Sequence, residues 1–307
     1  MVTDAALADA RRRAVPLAFA TASYVRGLPL LWQGRVTDAM ADLELALDAR
    51  RYGWHQFARS GAAHYALCLI ERGEFDQAQA ILDEDGPLSD PQDLEDVLRL
   101  YSLAELRLAQ ARPQEALEAA LTVGVICERT VRSLGYAPWR TTAAQAALVL
   151  GDRDRAVELA RQDFVRAERT DVLHLRIRAR RVLGLAEGGK SGTRRLRTAV
   201  RMGSEGPPRL ETIRALIDLG AAMRRENQRA EARAWLERGA DMAAYGGAVA
   251  LNERARYAVG VHLDHSGITY ALTDLGGSVV ARMSRAGAGA YPPLFVGQMA
   301  DIMRIEA

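Results

Sequence analysis

Apolar and small residues recur along this chain at helical spacing, and polar or breaker residues interrupt them at regular intervals. Phe75, Ala78, Ile81 and Leu82 fall on one face of a helix. Ala39, Leu43 and Ala46 make the same face earlier, and Ala232, Leu236 and Ala240 make it later. A turn position precedes each face, at Gly34, Gly73, Ala111, Gly151, Gly189 and Asn227. Five residues after the turn stands an alanine: Ala39, Ala78, Ala116, Ala156 and Ala232, with Arg194 as the exception. Seven residues before it stands a second small residue: Gly27, Ala66, Ala104, Ala144 and Gly220, with Val182 as the exception. The turns lie about 39 residues apart, the mark of stacked helical hairpins.

Small residues at these two positions have a physical reason. The helices of a hairpin approach to about 8–10 Å, and bulk at the crossing holds them apart. The second unit is read as helices over residues 54–72 and 74–85 around Gly73. Breakers separate units at Asp85, Gly86 and Pro87, at Ser89, Asp90 and Pro91, at residues 135–138, and at residues 203–208. Pro29 is expected to kink the first helix of unit one. The fifth unit, residues 173–202, is the weakest copy, with Gly188, Gly189 and Gly192 crowded together.

The pattern changes after Ala258. Short alternating segments over 259–264, 267–274 and 278–283 read as strands, with a turn at Leu275, Gly276 and Gly277. Pro292 and Pro293 lead into an expected helix over 294–305. Three strands and a helix bury too little apolar surface to stand as a domain alone. The expected architecture is an all-α solenoid of about six helical hairpins, residues 1–258, with a small β-rich appendage, residues 259–307.

Composition agrees. Hydrophobic residues make up 49% and aromatics 6%, so alanine and leucine carry the core. The net charge of +2 gives no basic field for nucleic acid, and no direct DNA binding is expected. Cys68 and Cys127 sit in apolar helical surroundings and read as reduced thiols, which suggests a cytoplasmic protein. Residues 1–13 hold no apolar run of signal-peptide length, and no stretch approaches the roughly 18 apolar residues of a membrane helix.

Several runs resemble the tetratricopeptide-like sensor region of the large LuxR-type transcriptional regulators, the class that includes the maltose-operon activator. They are residues 209–222 (RLETIRALIDLGAA), 228–233 (QRAEAR), 252–256 (NERAR), 138–140 (PWR) and 112–116 (RPQEA). The resemblance spans about residues 10–258. It implies a ligand- or partner-binding repeat module of a regulatory system. The phosphate loop of that class, Gly-x-x-x-x-Gly-Lys-Ser/Thr, does not occur here, and Gly189, Lys190 and Ser191 lack its upstream glycine. The class also carries a helix-turn-helix after the array, and none is expected within these residues. Residues 259–307 resemble the start of a ROK-family (repressor, open reading frame, kinase) domain at Val259, Gly260 and Val261, at residues 271–274 and at residues 277–282. His262, Asp264 and His265 stand where that family has the aspartate and glycines of its phosphate turn, so kinase activity is not expected.

Candidate chemistry is sparse, and the chain is read as no enzyme. His262, Asp264 and His265 fit a metal pair poorly, because strand residues three apart point to opposite faces. No metal or cofactor is expected. Nine cations and one acid lie between Arg176 and Arg201, against ten acids and two arginines between Glu71 and Arg99. These read as an anion or acidic-partner site, or as solvated faces that attract one another between copies. Tyr65, Tyr101, Trp139, Arg140, Arg176 and Arg180 are the candidate binding residues. Tyr65, Tyr101, Trp139 and Arg140 lie on or near first helices, which line the concave face in such arrays, and Arg176 and Arg180 belong to the basic run. The expected partner is a protein or a small-molecule effector in that groove, and a homo-oligomer is compatible with it. A stand-alone interaction scaffold, or a truncated ROK-type kinase or repressor, is the alternative.

Overall fold

The computed structural model describes residues 2–55, 57–84, 86, 93–129, 137–204, 210–247, 258–264, 267–273 and 279–286. The chain divides into two compact units, Met1–Ala250 and Leu251–Ala307.

The first unit is helical throughout its described residues. A leading helix α1 (Val2–Arg12) precedes six hairpins. They are α2 (Pro16–Trp32) with α3 (Val36–Asp48), α4 (Ala58–Glu71) with α5 (Phe75–Asp83), and α6 (Leu94–Ala109) with α7 (Pro113–Arg129). The remaining three are α8 (Trp139–Val149) with α9 (Arg153–Ala167), α10 (Leu173–Glu187) with α11 (Gly189–Gly203), and α12 (Leu210–Arg225) with α13 (Arg229–Gly246). A 3-10 turn, Ala49–Tyr52, follows α3. Pro29 lies inside α2 without ending it, and the helix runs on to Trp32.

One turn geometry builds five of the six hairpins. In unit one the Arg35 N–H donates to the Leu30 carbonyl at 3.0 Å and the Gly34 N–H to Leu31 at 2.9 Å. This pair of bonds closes a helix C-terminus and puts the middle residue in the left-handed region. The same pair recurs at Gly73 with Glu74, Ala111 with Arg112, Gly151 with Asp152, and Asn227 with Gln228. All six expected turn positions have positive φ, including Ala111 at 58° and Asn227 at 63°.

The small residues meet where expected. Ala39, Ala78, Ala116, Ala156 and Ala232 are fully buried, as are Ala66, Ala104 and Ala144 on the first helices. A Cβ on Gly220 would stand 2.6 Å from Leu236 and 3.0 Å from the Ala232 carbonyl. Unit five departs from the expected register. Its loop is the single residue Gly188, and α11 starts at Gly189. The close pair is therefore Gly184 with Gly192, where a Cβ on Gly192 would stand 2.2 Å from the Gly184 carbonyl oxygen. Val182 is a core residue and Arg194 is exposed.

The last hairpin also touches the first. A Cβ on Gly34 would stand 3.3 Å from Ile213, and one on Gly246 would stand 1.8 Å from the Gly34 carbonyl oxygen. Trp32 of α2 stacks on His174 of α10 at 5.1 Å. An open solenoid gives each repeat contacts with its neighbours alone. Here six hairpins complete a ring, with the first helices inside.

In the second unit three strands form an antiparallel meander: β1 (Ala258–Asp264), β2 (Gly267–Thr273) and β3 (Val279–Ala286). Val261 pairs with Tyr270, and Tyr270 with Met283. The expected turn at 275–277, His265, the helix over 294–305, residues 252–256, and most of the breaker segments at 85–91, 135–136 and 205–208 lie outside the described residues.

Candidate functional site

The ring interior holds the densest polar chemistry of the described residues. Glu211 of α12 sits at its centre, 1% exposed. It accepts from Arg214 Nη1 at 2.6 Å, Arg181 Nε at 2.9 Å and Arg178 Nη1 at 3.3 Å. Arg178 also donates to Glu105 at 2.7 Å and to the hydroxyls of Thr141 and Thr142. Arg181 reaches Asp218 at 2.7 Å, and Arg214 pairs with Glu71. These groups come from α4, α6, α8, α10 and α12, every one a first helix.

Their electrostatics follow from burial and pairing. Burial opposes ionisation of Glu211, but Arg181, Arg214 and Arg178 outweigh it and hold the carboxyl far below the usual range. Glu105 is lowered in the same way, with burial outweighed by Arg178 and Arg214. Glu71 goes the other way: burial raises it, Arg214 opposes, and repulsion by Glu105 and Glu211 adds to the rise. Burial opposes the charge of Arg214, yet Glu71, Glu211 and Glu105 keep it protonated.

Tyr101 lies beside this network, 1% exposed, with its phenol pushed up by burial. It is a core residue rather than a groove surface. Tyr65 is half-buried. Trp139 and Arg140 are buried at the start of α8, with the guanidinium 4.2 Å over the indole ring and Nη2 donating to Glu128 at 3.1 Å. Arg176 and Arg180 are half-buried and share Glu168 at 3.6 and 2.8 Å. The six candidates thus fall into separate places. Arg176 and Arg180 come together, and Trp139 and Arg140 form a second pair.

The basic run 176–201 is spent largely on internal pairing. Arg178 and Arg181 enter the interior, Arg176 and Arg180 meet Glu168, Arg195 meets Glu187, and Arg197 meets Glu231. The acidic run is divided likewise, with Glu71 on Arg214 and Asp93, Glu95 and Asp96 on Arg59. Sequence reading missed Glu105, Glu211, Arg214, Thr141 and Thr142 as partners. They occupy no fixed place in the repeat, so no periodic signal marks them.

Other buried polar groups lie outside this network. His64 bonds the Ser60 carbonyl through Nδ1 at 2.7 Å, and burial lowers its pKa. Burial pushes the Cys68 and Cys127 thiols up, and both cysteines are free. Asp163 is 3% exposed, and its Oδ1 has no hydrogen-bond partner. Burial raises this carboxyl against the attraction of Arg178, Arg140 and Arg166. Among the described residues no group of histidines, cysteines and carboxylates could hold a metal ion, and no helix is long and apolar enough to cross a membrane. An apolar cavity of about 620 Å³ lies between α1 and α2, lined by Ala6, Ala10, Leu17, Ala18, Ala22 and Val25 among others.

No family model matches the chain, and no curated protein matches it. Solved structures do. The chain is similar to BtubC (BKLC) from P. vanneervenii at 17% identity and a TM-score of 0.48, covering 75% of this chain and 99% of that one. It is similar to kinesin light chain TPR-like repeats of Podosopora anserina at 20% identity and a TM-score of 0.42, covering 61% and 94%. It is similar to the apo form of RapI at 12% identity and a TM-score of 0.42, covering 75% and 65%. The described first unit is a helical-hairpin repeat array of TPR-like type, as its recurring turns and crossings establish.

Proposed function

We propose that this chain is a non-catalytic recognition module of a LuxR-type transcriptional regulatory system. In this reading residues 1–258 form a tetratricopeptide-like repeat domain and residues 259–307 an incomplete ROK-like fragment. One observation supports the non-catalytic part: the buried arginines of the interior are held in ion pairs rather than left free to act on a substrate. Arg178, Arg181 and Arg214 are engaged by carboxylates of other repeats. His64 is tied to a backbone carbonyl and Cys68 is held as a thiol, so neither offers an activated base or nucleophile. The regulatory part rests on the sequence resemblance at residues 209–222 and 228–233.

The module takes a protein partner or a small-molecule effector, without a cofactor and without direct DNA contact. Tyr65, Arg176 and Arg180 are half-buried and serve in this reading as the ligand contacts of the closed array. Tyr101, Trp139 and Arg140 become contacts once the ring opens, and a ligand that binds the opened ring shifts the population toward it. A stand-alone interaction scaffold is the second reading. The filled interior favours it, because a filled interior leaves the outer faces for recognition.

The experiment is isolation of the tagged chain from its native host, followed by thermal melting of the purified chain against a metabolite library. A metabolite that raises Tm by several degrees, with loss of that shift in Arg180→Ala, supports the effector form. A stoichiometric co-purifying protein with no metabolite shift supports the scaffold. Turnover of ATP or a sugar by the pure chain overturns both.

A further inference from the structure

The outer faces of the second helices differ in charge, and one stands apart. α3 carries Asp38, Asp42, Glu44 and Asp48 and no cation. α9 and α13 mix both signs. α11 carries Lys190, Arg194, Arg195, Arg197 and Arg201 and no carboxylate. Arg195 turns sideways to Glu187, 2.7 Å away. The exposed residues of α11 are Gly189, Lys190, Ser191, Arg194, Arg197 and Arg201, so every exposed charge on this helix is positive.

The four exposed cations are spaced four, three and four residues apart. That spacing sets them on one line along the helix, about 16 Å long at 1.5 Å per residue. Arg197 meets Glu231 of α13 at 2.7 Å. Lys190, Arg194 and Arg201 have no ion pair among the described residues. The inner side of α11 is already committed to the core through Leu196, Ala199 and Val200. Apart from Arg197, the cations of the line therefore have no ion pair holding them to the described array.

We propose that this face of α11 docks an acidic helix of a protein partner, with carboxylates at matching i, i+4, i+7 and i+11 positions. The width of the row, a single line of cations along one helix, favours a helix over a nucleic-acid duplex. α11 is flanked by α9, which its Arg195 reaches at the Phe164 ring, and by α13, which Arg197 reaches. The exposed faces of these neighbours carry both signs: Asp154 and Glu158 with Arg153, Arg155, Arg161 and Arg166 on α9, and Glu231, Glu237 and Asp241 with Arg229, Arg233 and Arg238 on α13. A helix is about 10–12 Å across and fits above α11 alone. A duplex face spans grooves of about 12 and about 6 Å, edged by phosphates on both sides, and reaches beyond the single row over neighbours of mixed charge. Guanidinium groups pair with carboxylates in a fixed fork, which suits an ordered row of glutamates.

The inference rests on the recognition-module reading and adds a second contact surface to it. The test uses the full chain and a fluorescein-labelled helical peptide of alanine and glutamine, with four glutamates at the matching positions. A second peptide of the same composition spreads the glutamates around the helix, and a short DNA duplex is the third probe. Fluorescence anisotropy at low salt is expected to show the matched peptide binding at least about fivefold tighter than its isomer. The double variant Arg194→Glu, Arg201→Glu is expected to weaken it at least about tenfold, and Arg155→Glu on α9 to leave it unchanged. Circular dichroism melting of each variant separates lost docking from lost folding. Equal binding of both peptides, unchanged binding by the double variant, absence of binding, or tighter binding of the duplex overturns the proposal. Should a native partner be found whose binding survives the double variant, the docking face falls while the module reading stands.

Discussion

Replacing Glu211 with glutamine keeps the shape of the side chain and removes the charge on which three guanidinium groups converge. The nearest contacts are 2.6, 2.9 and 3.3 Å, from Arg214, Arg181 and Arg178. An amide offers one acceptor and turns N–H donors toward cations that are themselves donors. Arg178, Arg181 and Arg214 keep Glu105, Asp218 and Glu71, so each is left with one carboxylate. Removing one member of a buried ion pair costs about 3–5 kcal/mol, mostly from the charge left behind. At roughly 2–4 °C per kcal/mol for a unit of this size, Tm falls by roughly 6–20 °C. The exposed pair Arg233 with Glu237 is the control, and Glu237→Gln shifts Tm by at most about 2 °C. The pH dependence has a definite sign. The folded pKa of Glu211 lies below its unfolded value, so its stabilisation is complete above about pH 4.3 and is lost as pH falls toward the folded value. The gap between the unaltered chain and Glu211→Gln therefore narrows from pH 7 to pH 3. Urea unfolding followed by circular dichroism measures it. A gap under about 1 kcal/mol at pH 7, or one that stays constant down to pH 3, refutes the buried network.

Further outcomes follow from the turns and crossings. Gly192→Ala drives a Cβ against the Gly184 carbonyl oxygen, 2.2 Å away, and is expected to lower stability by more than about 2 kcal/mol in urea unfolding. Gly73→Ala meets no atom but must hold a φ of 74°, so about 1–2 kcal/mol is expected from the same assay. Ala111 already bears that strain at a φ of 58°, so Ala111→Gly is expected to stabilise by about 0.5–1 kcal/mol. Thiol labelling of the native chain is expected to modify half-buried Cys127 before buried Cys68, which reacts on unfolding.

The hairpin array was legible in the sequence because its determinants are local. A left-handed turn and two small residues fix each crossing, and all of them lie within a dozen residues of one another. Even Ala111 and Asn227, which are not glycine, held their place in the count and in the geometry. Unit five misled the count because its loop is shorter. Counting from Gly189 lands on Val182 and Arg194, whereas the backbones touch at Gly184 and Gly192. The interior network was not legible. Glu105 and Arg178 are 73 residues apart, and Glu71 and Arg214 are 143 apart, so their meeting depends on ring closure. The same holds for the candidate site residues. Their assignment to first helices was sound, but a first helix in a closed ring turns a tyrosine such as Tyr101 into core.

Ring closure is tested most directly by a double-mutant cycle on Glu71 and Arg214, the pair that joins units two and six across the interior. Glu71→Gln, Arg214→Met and the double variant are unfolded in urea beside the unaltered chain. A closed ring gives a coupling energy of at least about 1 kcal/mol, because Arg214→Met leaves the buried Glu71 without its cation while Glu71→Gln leaves Arg214 with Glu211 alone. An open solenoid, in which repeats so far apart never touch, gives a coupling of about zero.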